Sequence, residues 1–283
     1  MSLAPAIPAP RTLSPLLDTA SVRVRDARCN GECRHRSAEE CVAHTALVFP
    51  YRGVYVRHLG RDDAVAEAQQ VLFFNAGEGY QVSHPVAGGD ASLSMTVAEP
   101  LLRELAPRSY VRDGAALAFR RQRLRIDARA QALVALLRHS LELGTVDALE
   151  AEVLALTLVR RSLGERTTHA AASTTGRQKL VDRAKLALSG DLSRRWTLAE
   201  IAAEVGVSPV YLTQVFQQVE AMPLYRYQLH LRLARALHRL ADCDDLTALG
   251  VELGFSSHSH FTAAFRKAYG RTPSQFRAAA RAG

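Results

Sequence analysis

Two stretches of this chain repeat one another, and that repeat constrains the fold more than any other feature. Ile201–Ser208 (IAAEVGVS) aligns with Leu249–Ser256 (LGVELGFS), and Leu212–Phe216 (LTQVF) aligns with Phe261–Phe265 (FTAAF), with one extra residue in the second turn. In the second copy Leu246, Leu249 and Leu253 fall at helical spacing, Gly254 ends that helix in a left-handed cap, and Phe261 and Phe265 restart an apolar face. Two short helices joined by a glycine-led turn make a helix-turn-helix, and here the unit occurs twice. An Arg-rich amphipathic segment, Leu224 to Leu240, joins the two units, and Tyr269, Gly270, Thr272, Pro273 and Phe276 cap and restart a final helix.

The pair of units resembles the DNA-binding domain of the AraC/XylS family of bacterial transcription regulators over about residues 179 to 278. The chain departs from the family pattern at Ala221, where glycine is usual, and at Gly250, where alanine is usual. Alanine in a left-handed cap costs on the order of 1 kcal/mol. The resemblance implies that the second helix of each unit enters a DNA major groove and that the partner is double-stranded DNA. It also implies RNA polymerase as a protein partner, and activation over repression.

On such a helix the residues facing away from the core meet base edges. Ser208 and Pro209 start the first reading helix; Leu212, Val215 and Phe216 face inward, leaving Val210, Thr213 and Gln214 outward. In the second unit Ser257, His258, Ser259, His260, Thr262 and Ala263 face outward, and these positions match the family's base-contacting ones. Gln suits adenine, Val a thymine methyl and His a guanine edge. Arg266 and Lys267, late on the second reading helix, and Arg232, Arg235 and Arg239 on the connector suit phosphate or carboxylate partners.

Charge follows the same division. From Arg177 onward there are 15 Lys and Arg against 9 Asp and Glu, so six of the net eight positive charges lie there. A phosphate-binding surface needs that excess, because each neutralised phosphate releases counterions. A cytoplasmic protein is expected: no run approaches the roughly 20 apolar residues that span a bilayer, and MSLAPAIPAPRTLSP lacks the basic start and apolar core of a secretory signal.

Upstream, short apolar runs with glycine-rich turns (Ser21 to Ala27, Thr45 to Phe49, Val54 to His58, Gln70 to Phe74, Tyr80 to Ser83, Ser92 to Val97) predict a small β-sandwich or barrel. This part, with Ser83-His84-Pro85 and Gly88-Gly89-Asp90, resembles the cupin-like sensor domain of many such regulators. Ile126 to Leu143 and Val146 to Leu163 read as two amphipathic helices that either form a homodimer seam or cover the β-domain. The expected class is α+β: a mobile tail over 1–17, a sensor domain over 18–163 with its helical segment from about 126, a linker over 164–178, and an all-α reader over 179–283. Thr197 and Glu200 form a capping box in the reader, and Trp196 is a core anchor.

The signal would enter the sensor domain as a small molecule, a metal or a thiol-directed reagent. Cys29, Cys33, Cys41 and His44 could close a tetrahedral zinc site, since thiolate and neutral imidazole are preferred zinc donors. A redox or electrophile sensor and packed thiols compete with it. The alternative functional class is a DNA-repair enzyme with a zinc-bound, methyl-accepting cysteine. A cupin metal centre needs a His-x-His pair, absent before residue 164, so His58 and His84 read as strand-end or turn residues and no enzyme is expected.

Overall fold

The computed structural model describes residues 11–32, 34–112, 114, 116–164 and 174–282. Among the described residues nine strands precede most of the helices. Strands β1 (Arg11–Asp18), β2 (Val22–Cys29), β3 (Ala46–Arg52), β6 (Gln70–Phe74), β8 (Asp90–Val97) and β9 (Arg123–Arg125) form one antiparallel sheet in the order β1-β2-β8-β3-β6-β9. Strands β4 (Tyr55–Leu59), β5 (Asp62–Ala66) and β7 (Gln81–Ser83) form a second sheet in the order β5-β4-β7.

Period-2 alternation decides what each face of the large sheet meets. Val22 and Val24 of β2 and Ala91, Leu93, Met95 and Val97 of β8 point into the main core, where helices cover them. Cys29, Asp90, Ser92 and Ser94 line the opposite face, together with Tyr55, Tyr80 and Val82 beyond it.

The mobile tail expected over 1–17 is corrected here: Arg11–Asp18 is the edge strand β1, paired along β2 from Arg11↔Cys29 to Asp18↔Arg23. Its exposed side chains give no alternation to read, and Pro15 sits at a register shift, where a missing N–H is tolerated. Strand β5 also escaped prediction, because Asp62 and Asp63 mask a short apolar run.

After helix α1 (Glu99–Leu105) come α2 (Ala128–Leu143) and α3 (Ala148–Leu163), capped by Asp127 and Asp147, which accept from Ala130 N and Glu150 N. Ala130, Val134 and Leu137 of α2 and Ala151, Ala155, Leu158 and Val159 of α3 join the core of the large sheet, so the helix pair covers the β-domain. Leu143, Leu149 and Val153 stay exposed. Of the expected linker, residues 165–173 lie outside the described residues, and Thr174 caps α4 (Thr175–Gly190), which begins inside the linker expected over 164–178.

The reader comprises α4, α5 (Leu198–Glu204), α6 (Pro209–Glu220), α7 (Leu224–Arg239), α8 (Leu246–Glu252), α9 (His258–Tyr269) and α10 (Pro273–Ala282). Two apolar clusters hold it. Val181, Ile201, Leu212, Phe216 and Tyr227 pack the first unit, with Trp196 against them, while Leu237, Leu249, Leu253, Phe261 and Phe265 pack the second. The capping box of Thr197 and Glu200 is present. Ala221 adopts φ 51°, the left-handed cap of α6. Ala221→Gly is therefore expected to stabilise the chain by about 0.5–1 kcal/mol in denaturant titration, with relief of Cβ strain exceeding the added unfolded-state entropy. An unchanged midpoint would count against strain at this cap.

The helical C-terminal domain docks on the β-domain along two seams. In the first, Arg123 of β9 grips Asp182 of α4 at 2.8 and 3.0 Å, and Arg125 donates to Glu220 O and lies 3.0 Å from Met222 Sδ. Behind them Lys185 Nζ meets Glu220 Oε1 at 2.6 Å, with the lysine side chain fully buried. In the second seam Arg138 of α2 pairs with Glu142 at 2.6 Å, lies over the Tyr51 ring and reaches His238 O of α7, while Tyr269 donates to Gln131. Ala135 of α2 completes the apolar cluster of the second unit.

Burial, followed by the charge of Arg138, pushes the His139 imidazole down to about 4 and that of His238 down to about 3. Between pH 4 and 6.5 the unfolded chain binds protons at these positions that the folded chain refuses, so stability falls on acidification, by at most about 1.4 kcal/mol per pH unit for each histidine. Denaturation midpoints should drop from pH 7 to pH 5, and less steeply in His139→Asn. Equal slopes for variant and wild type would refute this origin.

Candidate nucleic-acid interface

Each reading helix begins on a serine cap. Ser208 accepts from Tyr211 N at 3.2 Å with Pro209 next in line, and Ser257 accepts from His260 N at 3.1 Å. Because Leu212, Val215, Phe216 and Val219 are buried, the outer face of α6 carries Val210 (68 % exposed), Tyr211 (45 %), Thr213 and Gln214 in its first half. Tyr211, which the apolar spacing alone left without a side, is thereby added to the candidate surface. Thr213 Oγ1 donates to Pro209 O at 3.0 Å, which leaves its methyl and lone pairs for a base edge.

On α9, Phe261 and Phe265 are buried, while Ser257, His258, Ser259, His260 and Ala263 are exposed and Thr262 is half-buried. Their roles divide. Ser257 is occupied as cap, and His260 is tied back into the turn, with Nδ1 3.0 Å from Ser256 Oγ and its ring edge against Phe255. His258 lies within 3.4 Å of the hydroxyls of Thr247 and Thr262, a loose cradle that holds the ring upright on the outer face.

Arg266 and Lys267 lie exposed in the last turn of α9, where the helix dipole favours cations. Two of the connector arginines bind other parts of the same domain. Arg232 donates to the carbonyls of Leu192, Ser193, Arg194 and Gly254, and so ties the loop before the first unit to the turn of the second. Arg239 pairs with Glu252 of α8. Gly254 has φ +80°, and a Cβ there would meet Ser193 O at 2.4 Å, so this turn requires glycine.

The thiol set is dispersed. Cys29 ends β2 half-buried, Cys41 and His44 are exposed in the segment before β3, and Cys33 lies outside the described residues. His44 lines a depression with Thr19 and Glu99, whereas Cys29 lines the space between the sheets. His58 is a satisfied strand residue, with Nδ1 2.7 Å from Asp63 and Nε2 2.8 Å from Ser83.

Two capped reading helices, each behind a shorter helix and joined by one connector, define a double helix-turn-helix domain. A helix-turn-helix domain model matches residues 201–279. The HTH-type transcriptional activator RhaR of Klebsiella pneumoniae is 32 % identical over 130 residues, 46 % of this chain and 45 % of that one. Transcriptional activator AggR of Escherichia coli is 33 % identical over 96 residues, 34 % of this chain and 36 % of that one. A solved transcriptional regulator with an AraC-type DNA-binding domain, from Chromobacterium violaceum, is 30 % identical over 38 % of this chain and 96 % of its own, with a TM-score of 0.36. The C-terminal domain is thus a helix-turn-helix domain similar to those of AraC-type regulators. The chain spans less than half the length of the two curated relatives. No helix among the described residues is long and apolar enough to cross a membrane.

Proposed function

We propose that the protein is a one-component transcription regulator whose double helix-turn-helix reads DNA and whose β-domain receives a signal. The observation that carries this is the pair of serine-capped helices α6 and α9, which expose base-reading side chains from a frame that Arg232 locks together. Activation is favoured because RhaR and AggR, two of the matching curated relatives, are named activators. RNA polymerase is then the protein partner, and the cytoplasm the place of action. The exposed Leu143, Leu149 and Val153 on α2 and α3 support a homodimer through that face. The two docking seams give the signal its route: an effector that favours one placement of the reader on the sensor shifts the population competent for DNA.

Selection of bound sequences from random duplex DNA tests this reading. Two boxes about one helical turn, roughly 34 Å, apart should be enriched, as two reading helices in successive major grooves require. Affinity for the selected site should fall steeply with salt. A bound pool with no enriched sequence would sink the proposal.

A further inference from the structure

A cluster of metal-ligating groups lies between the two sheets of the β-domain, away from the reading helices. Cys29 ends β2 and Asp90 begins β8, and the two are direct cross-strand partners, so their side chains leave the sheet on the same face. His84, in the connection from β7 to β8, reaches in from the other side. The Cys29 sulfur, a His84 nitrogen and an Asp90 carboxylate oxygen all lie within 4.8 Å of one another. Cys41 and His44 join no such group among the described residues.

The backbone holds this arrangement tightly. A Cβ on Gly89 would come within 2.2 Å of Cys29 O, one on Gly31 within 2.7 Å of Gly89, and one on Gly53 within 2.0 Å of Gly89 O. All three glycines have positive φ, between 66° and 79°. The chain therefore closes main chain to main chain immediately beside two of the three donors, and Cys29 and Asp90 have little freedom to separate.

The cluster also carries polar groups without a partner. His84 is 3 % exposed; its Nε2 lies 2.6 Å from Asp90 Oδ1, but its Nδ1 is buried without a hydrogen bond, and so is Ser92 Oγ on the same face. Leaving such groups unanswered is costly. The comparison with His58 is direct, since that histidine satisfies both nitrogens with Asp63 and Ser83. Arg11, which also lines the space, is answered by Glu40 at 2.8 Å.

We propose that Cys29, His84 and Asp90 form a binding site for a thiophilic divalent cation, zinc in the first place, in the space between the sheets. Thiolate, imidazole and carboxylate are the three zinc donors of proteins. A tetrahedral zinc holds its donors roughly 3.3–3.8 Å apart, so the observed spread closes with side-chain shifts on the order of 1 Å. The adjoining cavity of about 80 Å³ leaves room for a water or small ligand at the fourth position. This site is independent of the DNA-binding reading.

Cobalt(II) titration of the full-length, chelator-stripped protein tests the assignment. Wild type should bind one cobalt per chain with a near-ultraviolet thiolate-to-cobalt band and the intense visible bands of tetrahedral cobalt, and zinc should displace it. The charge-transfer band should vanish in Cys29→Ser and persist in Cys41→Ser and His44→Gln. His84→Gln and Asp90→Asn should weaken affinity by at least the order of 10–100-fold already typical of a supporting residue. Asp90→Asn preserves side-chain size, and circular dichroism in the presence of chelator verifies the fold of each variant. No band in wild type overturns the proposal. So does a band that survives Cys29→Ser, or an unchanged affinity in folded His84→Gln.

Discussion

Lys185→Met is expected to destabilise the chain by about 3–5 kcal/mol, the usual cost of leaving one member of a buried ion pair alone. Lys185 sits in the wall of α4 with its side chain fully buried and its Nζ 2.6 Å from Glu220 Oε1. Two acids share the surroundings. Burial works to raise the Glu220 carboxyl, but Lys185, Arg125 and Arg123 outweigh it and hold it below the ordinary range. Burial raises Glu67, and Lys185 only partly offsets that. Methionine matches the lysine stem in volume, so the change removes charge rather than packing.

The pH dependence of the loss identifies its cause. In wild type the lowered Glu220 contributes stability that is present above the ordinary carboxylate range and lost on acidification. In Lys185→Met the same acid prefers its neutral form, so the deficit should be largest near pH 7 and shrink toward pH 5. Denaturant titrations at both values check this, and Lys185→Met with Glu220→Gln should recover much of the loss. A deficit that is independent of pH and persists in the double variant would show that packing, not charge, was at stake.

Gln214→Ala is expected to lower discrimination at one base pair by about 1–3 kcal/mol while leaving affinity for scrambled duplex nearly unchanged, because a bidentate amide contact carries sequence information. Gln214 is exposed on the outer face of α6, and Leu212, Val215 and Phe216 beneath it fix the rotation of that helix. Arg266→Ala should behave differently: affinity falls on every sequence, and the salt slope decreases by about one, as for a phosphate contact. Fluorescence anisotropy on the selected site and on a scrambled duplex separates the two. Equal losses on both duplexes for Gln214→Ala would remove it from the reading surface.

The reader was legible because its determinants are local. The serine caps and the capping box act within a few residues, and the apolar periods of α6 and α9 span one turn at a time. Nothing comparable marks β1, where an edge position removes the need for alternation. The connector arginines show a further limit. Arg232 has the spacing of an exposed cation, yet it ends on four backbone carbonyls that the fold alone brings together.

Spacing along the chain groups Cys29, Cys33, Cys41 and His44. Pairing between β2 and β8 instead places Asp90 beside Cys29, and the return from β7 delivers His84. A histidine read as an ordinary turn residue thus becomes the most notable one in the β-domain. The sequence by itself determined the double helix-turn-helix, the outward faces of its second helices and the location of its positive charge, because helical period, caps and composition are short-range properties. Only the tertiary structure decided which strands pair, which charges are buried at the docking seams and which donors converge between the sheets, because those follow from register and close packing among distant segments.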